Sequence, residues 1–218
     1  MGDTDFKEEL SIFYEMRAQT VIENLEKKNM AGHFVPNRQE ALELVLSLIP
    51  SGAVVGRGDS MTLNQIGIVE ALAERDQNKI INPVQTDEKG FNPPREERRK
   101  IQREALLSDV FLTSTNAITL EGTIVSTDGA GNRVAAMMFG PEKVLIVAGC
   151  NKIVSDVDEA RHKIKHIIAP LNALRHNKKH RKEGLGWGHL RYTAIIDGNQ
   201  PAERGKITVI LVGEDLGI

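Results

Sequence analysis

Apolar residues recur at helical and then at strand spacing along almost the whole chain, and that alternation sets the expected fold. Residues 1–30 read as one amphipathic helix, with Phe6, Leu10, Phe13, Ile22 and Leu25 returning at helical intervals among Lys and Glu. Met30-Ala31-Gly32 stops it. Such an arm packs either on the body or on another subunit, so a homo-oligomer is one expectation. Short strands and helices then alternate. His33-Phe34-Val35 is a strand, and the N-x-x-E spacing of Asn37 and Glu40 is a capping box that opens a helix ending at Leu48. Ala53-Val54-Val55-Gly56 is a buried strand, followed by a glycine turn and a helix over 61–74. Further on, the pattern predicts a strand over 79–81, a highly charged helix over 95–107, and strands over 109–113, 122–126 and 143–148. The last of these is apolar enough to be central and covered on both faces. A long helix over 156–175 carries Val157, Ala160, Ile164, Ile167, Leu171 and Leu174 on one stripe, and Pro170 inside it predicts a bend or an interruption. Gly184, Gly186 and Gly188 mark a loop before strands over 193–196 and 207–212. Strands alternating with helices predict an α/β fold: a mainly parallel open sheet flanked by helices, one domain over 31–218 with an N-terminal helical arm over 1–30.

Composition narrows the class. A chain of 218 residues that is 40% hydrophobic and 27% charged buries a sizeable core without a disulfide or metal staple. Its longest apolar runs, such as 144–149, are far too short to cross a bilayer. The first five residues are acidic, with no apolar stretch after them, so no signal peptide, no membrane and a cytoplasmic location are expected. The single cysteine, Cys150, excludes an internal disulfide and any all-cysteine zinc or iron–sulfur site within one chain; no intrinsic iron–sulfur cluster is expected. The net charge of -2 conceals an asymmetry. Residues 161–191 hold nine Lys or Arg against one acid, Glu183, and five of the six histidines. That segment is either a solvated helix end and loop or a surface for phosphates, nucleic acid or an acidic partner. Trp187 and Tyr192 would be its stacking groups.

Open parallel sheets bind ligands where strands end and helices begin. Three segments fall there. In Gly56-Arg57-Gly58-Asp59-Ser60-Met61-Thr62 two glycines permit a sharp turn and close backbone approach, and Ser60 and Thr62 add hydroxyls. Met61 stands where a dinucleotide fingerprint needs its third glycine, and no Gly-Lys-Ser/Thr follows, so neither phosphate-loop signature is present. The segment is either a ligand loop or plain strand–turn–helix punctuation, and Asp59 either an N-cap or a carboxylate of the site. Thr115 and Asn116, in Thr113-Ser114-Thr115-Asn116, suit a polar substrate or a self-capped turn, with Glu121 in the turn beyond. Asp128-Gly129-Ala130-Gly131-Asn132-Arg133 offers a guanidinium fork for an anion, or an Asp128–Arg133 pair that braces the loop. Lys152 closes a further strand on the same expected rim. Asp59, Glu121 and Asp128 are the candidate catalytic carboxylates. His162/His166 and His176/His180 have chelating spacing but lie among Lys and Arg and lack the glutamate of a zinc helix, so no metal site is expected. Cys150 is either a reactive thiol at a strand end or a buried inert one.

These loops also carry a resemblance. Thr113-Ser114-Thr115-Asn116-Ala117-Ile118, Gly122-Thr123-Ile124-Val125, Asp128-Gly129-x-Gly131-Asn132-Arg133-Val134-Ala135-Ala136-Met137, Ala148-Gly149-x-Asn151-Lys152 and Val212-Gly213-Glu214-Asp215-Leu216-Gly217 are similar to the LUD (lactate utilisation) domain family. The resemblance implies a ribose-phosphate isomerase/CoA-transferase-like fold, in a superfamily that also contains formyltetrahydrofolate cyclo-ligases. There the first glycine loop and later strand ends hold an anionic group, which points to residues 56–62, Asn116 and the 128–133 turn. It further implies a small anionic ligand and a role in lactate oxidation beside iron–sulfur proteins. The alternatives are an isomerase, acyl-transferase or cyclo-ligase activity, with Glu121 in the place of a CoA-transferase nucleophile, or binding of nucleic acid or an acidic partner through 161–191. One departure stands out: many small relatives carry cysteines between the long helix and the last strand, and this chain has none there.

Overall fold

The most continuously apolar runs of the chain become strands covered on both faces. The computed structural model describes residues 6–86, 92–179 and 191–218. Six parallel strands form the main sheet: β1 (Ala31–Val35), β10 (Ile207–Val212), β7 (Lys143–Gly149), β4 (Val110–Thr113), β2 (Val54–Arg57) and β3 (Lys79–Ile81), in that spatial order. Successive side chains of a strand point to opposite faces. Phe111, Val144, Ile146, Val209 and Leu211 therefore pack on one side of the sheet. Val110, Leu112, Leu145, Val147, Ile210 and Val212 pack on the other. The first layer is closed by the second half of α1 (Lys7–Lys27), through Ala18, Val21, Ile22 and Leu25. The other is closed by α2 (Arg38–Leu48), α3 (Met61–Gln65) and α4 (Ile68–Arg75). The arm thus divides: residues 18–25 belong to the body, whereas Phe6, Leu10, Phe13 and Met16 are exposed.

Local chemistry sets the helix ends. Asn37 caps α2 by accepting from the Glu40 amide at 3.0 Å, and its own amide donates to the Glu40 carboxylate at 2.8 Å. The helix expected over 61–74 is two helices, because Gly67 between them sits at φ +72. The charged helix is α5 (Arg95–Glu104), and α6 (Asn132–Met138) follows the 128–131 turn. The long helix is α7 (Val157–Lys163), a π turn over Ile164–Ile168, then α8 (Ala169–Lys179). Pro170 explains the wide turn: it has no N–H for the His166 carbonyl and its ring crowds that carbonyl. The helix widens by one residue, with Ala169 N–H donating to Ile164 O.

Four strands lie apart in a second, mixed sheet ordered β8 (Ile153–Val154), β5 (Ala117–Thr119), β6 (Ile124–Asp128) and β9 (Tyr192–Ile196). Strands near 122–126 and 193–196 are therefore present but pair antiparallel to each other, outside the main sheet. No helix among the described residues is long and apolar enough to cross a membrane. The loop glycines at 184–188, His180 and Trp187 lie outside the described residues.

Candidate anion-binding crevice

Parallel strands end on the same edge, so the loops after β2, β4 and β7 meet above three neighbouring strands. The Gly58 amide donates to Leu112 O at 3.0 Å and ties the first loop to the second. The β6–α6 turn of the second sheet closes the other side. Between them opens a crevice of about 800 Å³. Of the residues nominated from sequence, Asp59, Ser60, Thr62, Thr115, Asn116, Asp128, Gly129, Asn132, Arg133 and Lys152 line it.

Lys152 forms the floor. It is 4% exposed, and its ammonium donates to Thr62 Oγ1 at 3.0 Å and Ser114 Oγ at 2.8 Å. It makes no ion pair to a carboxylate among the described residues. Burial, then the positive fields of Arg133 and Lys163, lower its pKa to about 7. Arg133 lies beside it. Its guanidinium donates to Asn116 Oδ1 at 3.2 Å and to the Thr127 carbonyl, while its buried Nε has no partner. Burial lowers its pKa too, opposed by Asp128 and then Asp59.

The carboxylates have separate fates. Asp128 accepts from the Arg133 backbone N–H at 2.9 Å and caps the start of α6; it makes no side-chain ion pair with Arg133. Ser60, not Asp59, caps α3, accepting from Leu63 N at 3.3 Å. Asp59 instead reaches across the mouth to Arg175, 3.8 Å away. Glu121 is exposed on the β5–β6 turn, where Gly122 packs against Asn24 and Leu25 of α1; it does not line the crevice.

Four other nominated residues do not line the crevice either, and each has a packing reason. Gly56 has Ser108 Oγ 2.7 Å and Ala105 O 2.9 Å from where a Cβ would sit. Gly58 leaves room for Thr113 and the stem of Arg133. Gly131, at φ +85, supports the Tyr192 ring. Arg57 is buried and braces its own loop, donating to Gly58 O at 3.1 Å and Asn64 Oδ1 at 2.9 Å. Thr115 lines the wall, but its hydroxyl is committed to Val125 O at 2.9 Å.

Ser114 at the floor and Arg95, Arg98 and Arg99 on α5 complete the site without having been nominated, and Arg175, Arg191 and Tyr192, from the basic segment and its stacking group, line it too. A signal existed for α5, whose arginines repeat at i, i+3, i+4, although a charged helix alone does not say what its basic stripe faces. Among the described residues, seven Lys or Arg side chains line the crevice against two side-chain carboxylates, Asp59 and Asp128. Such a basin concentrates anions.

The His162 and His166 rings lie 4.5 Å apart, tilted by 39°, and no group of three or more metal-capable side chains occurs among the described residues. Cys150 is 3% exposed and its pKa is raised to about 12, by burial first, with Asp215 adding and Arg17 opposing. In the native protein its alkylation by iodoacetamide at pH 8 is therefore expected to be at least about tenfold slower than in urea; equal rates would contradict this.

The LUD domain family model matches residues 18–212. A crystal structure of a DUF162 family protein from Deinococcus radiodurans superposes with a TM-score of 0.53 at 13% identity, covering 91% of this chain and 97% of that one, which extends the agreement to the fold. No match was found among curated proteins.

Proposed function

Because the chain belongs to the LUD domain family, we propose that it is a lactate-utilisation-type protein that binds a small anionic metabolite or cofactor in this crevice, as a subunit working beside an iron–sulfur protein in lactate oxidation. One observation supports the binding reading: Lys152 is a buried amine whose partners are two hydroxyls and which has no carboxylate counter-ion among the described residues. A buried charge without a counter-ion is costly. An anion accepting from Lys152 and from the unpartnered Nε of Arg133 offsets that cost. The same geometry favours binding over carboxylate catalysis, since Asp128 is spent as a cap and Glu121 lies elsewhere.

The reading is tested by thermal-shift and calorimetric screening with lactate, pyruvate, phosphate, sugar phosphates, nucleotides and CoA. At least one anion is expected to stabilise the protein, and Arg133→Ala to weaken it by roughly tenfold to a hundredfold, the range for removing a charged hydrogen-bond partner. A panel without a hit, or a hit indifferent to Arg133→Ala, would sink it.

A further inference from the structure

The mouth of the crevice differs from its floor. On α5, Arg95, Arg98, Arg99 and Gln102 fall at i, i+3, i+4 and i+7, the spacing of one helix face, and all four line the crevice. Glu96, Glu97 and Glu104 of the same helix do not. The guanidiniums of Arg95, Arg98 and Arg99 make no side-chain hydrogen bond or ion pair to any described residue. Like charges three and four residues apart repel, so without a guest this face is mildly unfavourable. Arg175 and Arg191 also line the crevice, and Asp59 lies 3.8 Å from Arg175. A single carboxylate or phosphate already seated on Arg133 and Lys152 leaves the α5 guanidiniums unused, whereas Arg175 already donates to Asn172 Oδ1 at 3.0 Å. Contiguous phosphates, with several oxygens in a row, match several guanidinium forks at once. About 800 Å³ also falls within the usual range for an organic cofactor rather than a three-carbon acid.

Resting on the binding reading above, we propose that the mouth is a second anion subsite and that the ligand is a polyphosphate-bearing small molecule held at both ends. One anionic group sits on Arg133 and Lys152 at the floor, and two or more contiguous phosphates sit between α5 and Arg175. The α5 arginines are ligand-binding residues, not a solvated helix face.

The two subsites separate experimentally. Affinities for inorganic orthophosphate and inorganic tripolyphosphate are measured by calorimetry on the full chain, on Arg98→Gln/Arg99→Gln and on Arg133→Ala. The α5 double variant changes an exposed helix and is expected to fold, which circular dichroism checks. It should lose at least about tenfold in tripolyphosphate affinity, while orthophosphate affinity stays within about twofold. Arg133→Ala should weaken orthophosphate binding by roughly tenfold to a hundredfold and leave most of the α5-dependent tripolyphosphate affinity. ATP and CoA, as competitors of tripolyphosphate, then distinguish a nucleoside triphosphate from a pyrophosphate-linked cofactor. Tripolyphosphate binding no tighter than orthophosphate, or unmoved by the α5 double variant, overturns the mouth subsite while leaving the floor intact. Failure of orthophosphate and of every other anion of the panel to bind, or orthophosphate binding that ignores Arg133→Ala, defeats the floor reading instead, and the two-ended ligand with it. A short single-stranded RNA that outcompetes both phosphates overturns the small-molecule assignment.

Discussion

Lys152→Met is expected to make the ligand-free protein more stable at neutral and acidic pH while removing its response to anions. The substitution keeps the length of the side chain and deletes a buried charge that has hydroxyl partners but no carboxylate counter-ion among the described residues. Replacing buried charges by packed apolar groups stabilises by on the order of 1–3 kcal/mol, or a few degrees in Tm for a chain this size. The Thr62 and Ser114 hydroxyl oxygens lose a donor, but an unfilled hydroxyl lone pair costs less than a buried charge, so the net sign holds. The pH dependence follows from the lowered pKa of Lys152. Between about 7 and its ordinary value of 10.5, the unfolded chain holds a proton there that the folded chain has released. Stability of the unmodified protein from this group therefore rises with pH across that window, and the penalty is fully present below pH 7. The advantage of Lys152→Met should be largest below about pH 7 and shrink toward pH 10, as read from urea melts at several pH values. A less stable variant at every pH would mean that Lys152 is a structural post and not a held-back charge.

Gly149→Ala is expected to damage both the fold and the site. Gly149 ends β7, where the chain after β10 crosses it. An added Cβ would stand 2.5 Å from Leu216 N and would also strike Glu214 O and Asn151 Oδ1. Two of those three atoms are backbone, and Leu216 is fully buried, with its amide donating to Asn151 Oδ1 at 3.2 Å. Overpacking of this kind costs about 1–3 kcal/mol. The crossing segment also carries Gly217, which packs against Lys152 and Thr62, so a displaced tail loosens the floor. A drop in the urea midpoint together with loss of anion-induced stabilisation is the expected result. Unchanged stability would show that the tail yields freely.

The main sheet was legible because burial on both faces writes itself as uninterrupted Val, Ile and Leu, as in residues 143–148 and 207–212. The second sheet was not. β5 and β8 are three and two residues long, and their partners are set by tertiary contacts rather than by any local period. Gly67 split a helix that the hydrophobic spacing reads as continuous, whereas Pro170 announced its own disturbance correctly. At the site, Arg133, Asn116 and Lys152 were found because they follow strand ends, a position that topology alone makes shared. Gly56, Gly58 and Gly131 were nominated for closeness to a ligand, yet what approaches their bare backbone is protein: Ser108, the Arg133 stem and Tyr192. The α5 arginines escaped notice for the converse reason. Their helix has no buried residue, and only the folded chain reveals that its basic face turns inward over the crevice.

On the proposed reading, Lys152 is a buried amine with no carboxylate counter-ion among the described residues, and an anionic guest supplies one. Titration of Lys152 by NMR, with 13C-labelled lysine and the Lys152→Met variant to assign its resonance, measures this directly. The account predicts a midpoint near 7 in the ligand-free protein and an upward displacement when an anion from the panel binds. A midpoint near the ordinary lysine value of 10.5, or one that stays fixed on binding, would contradict it.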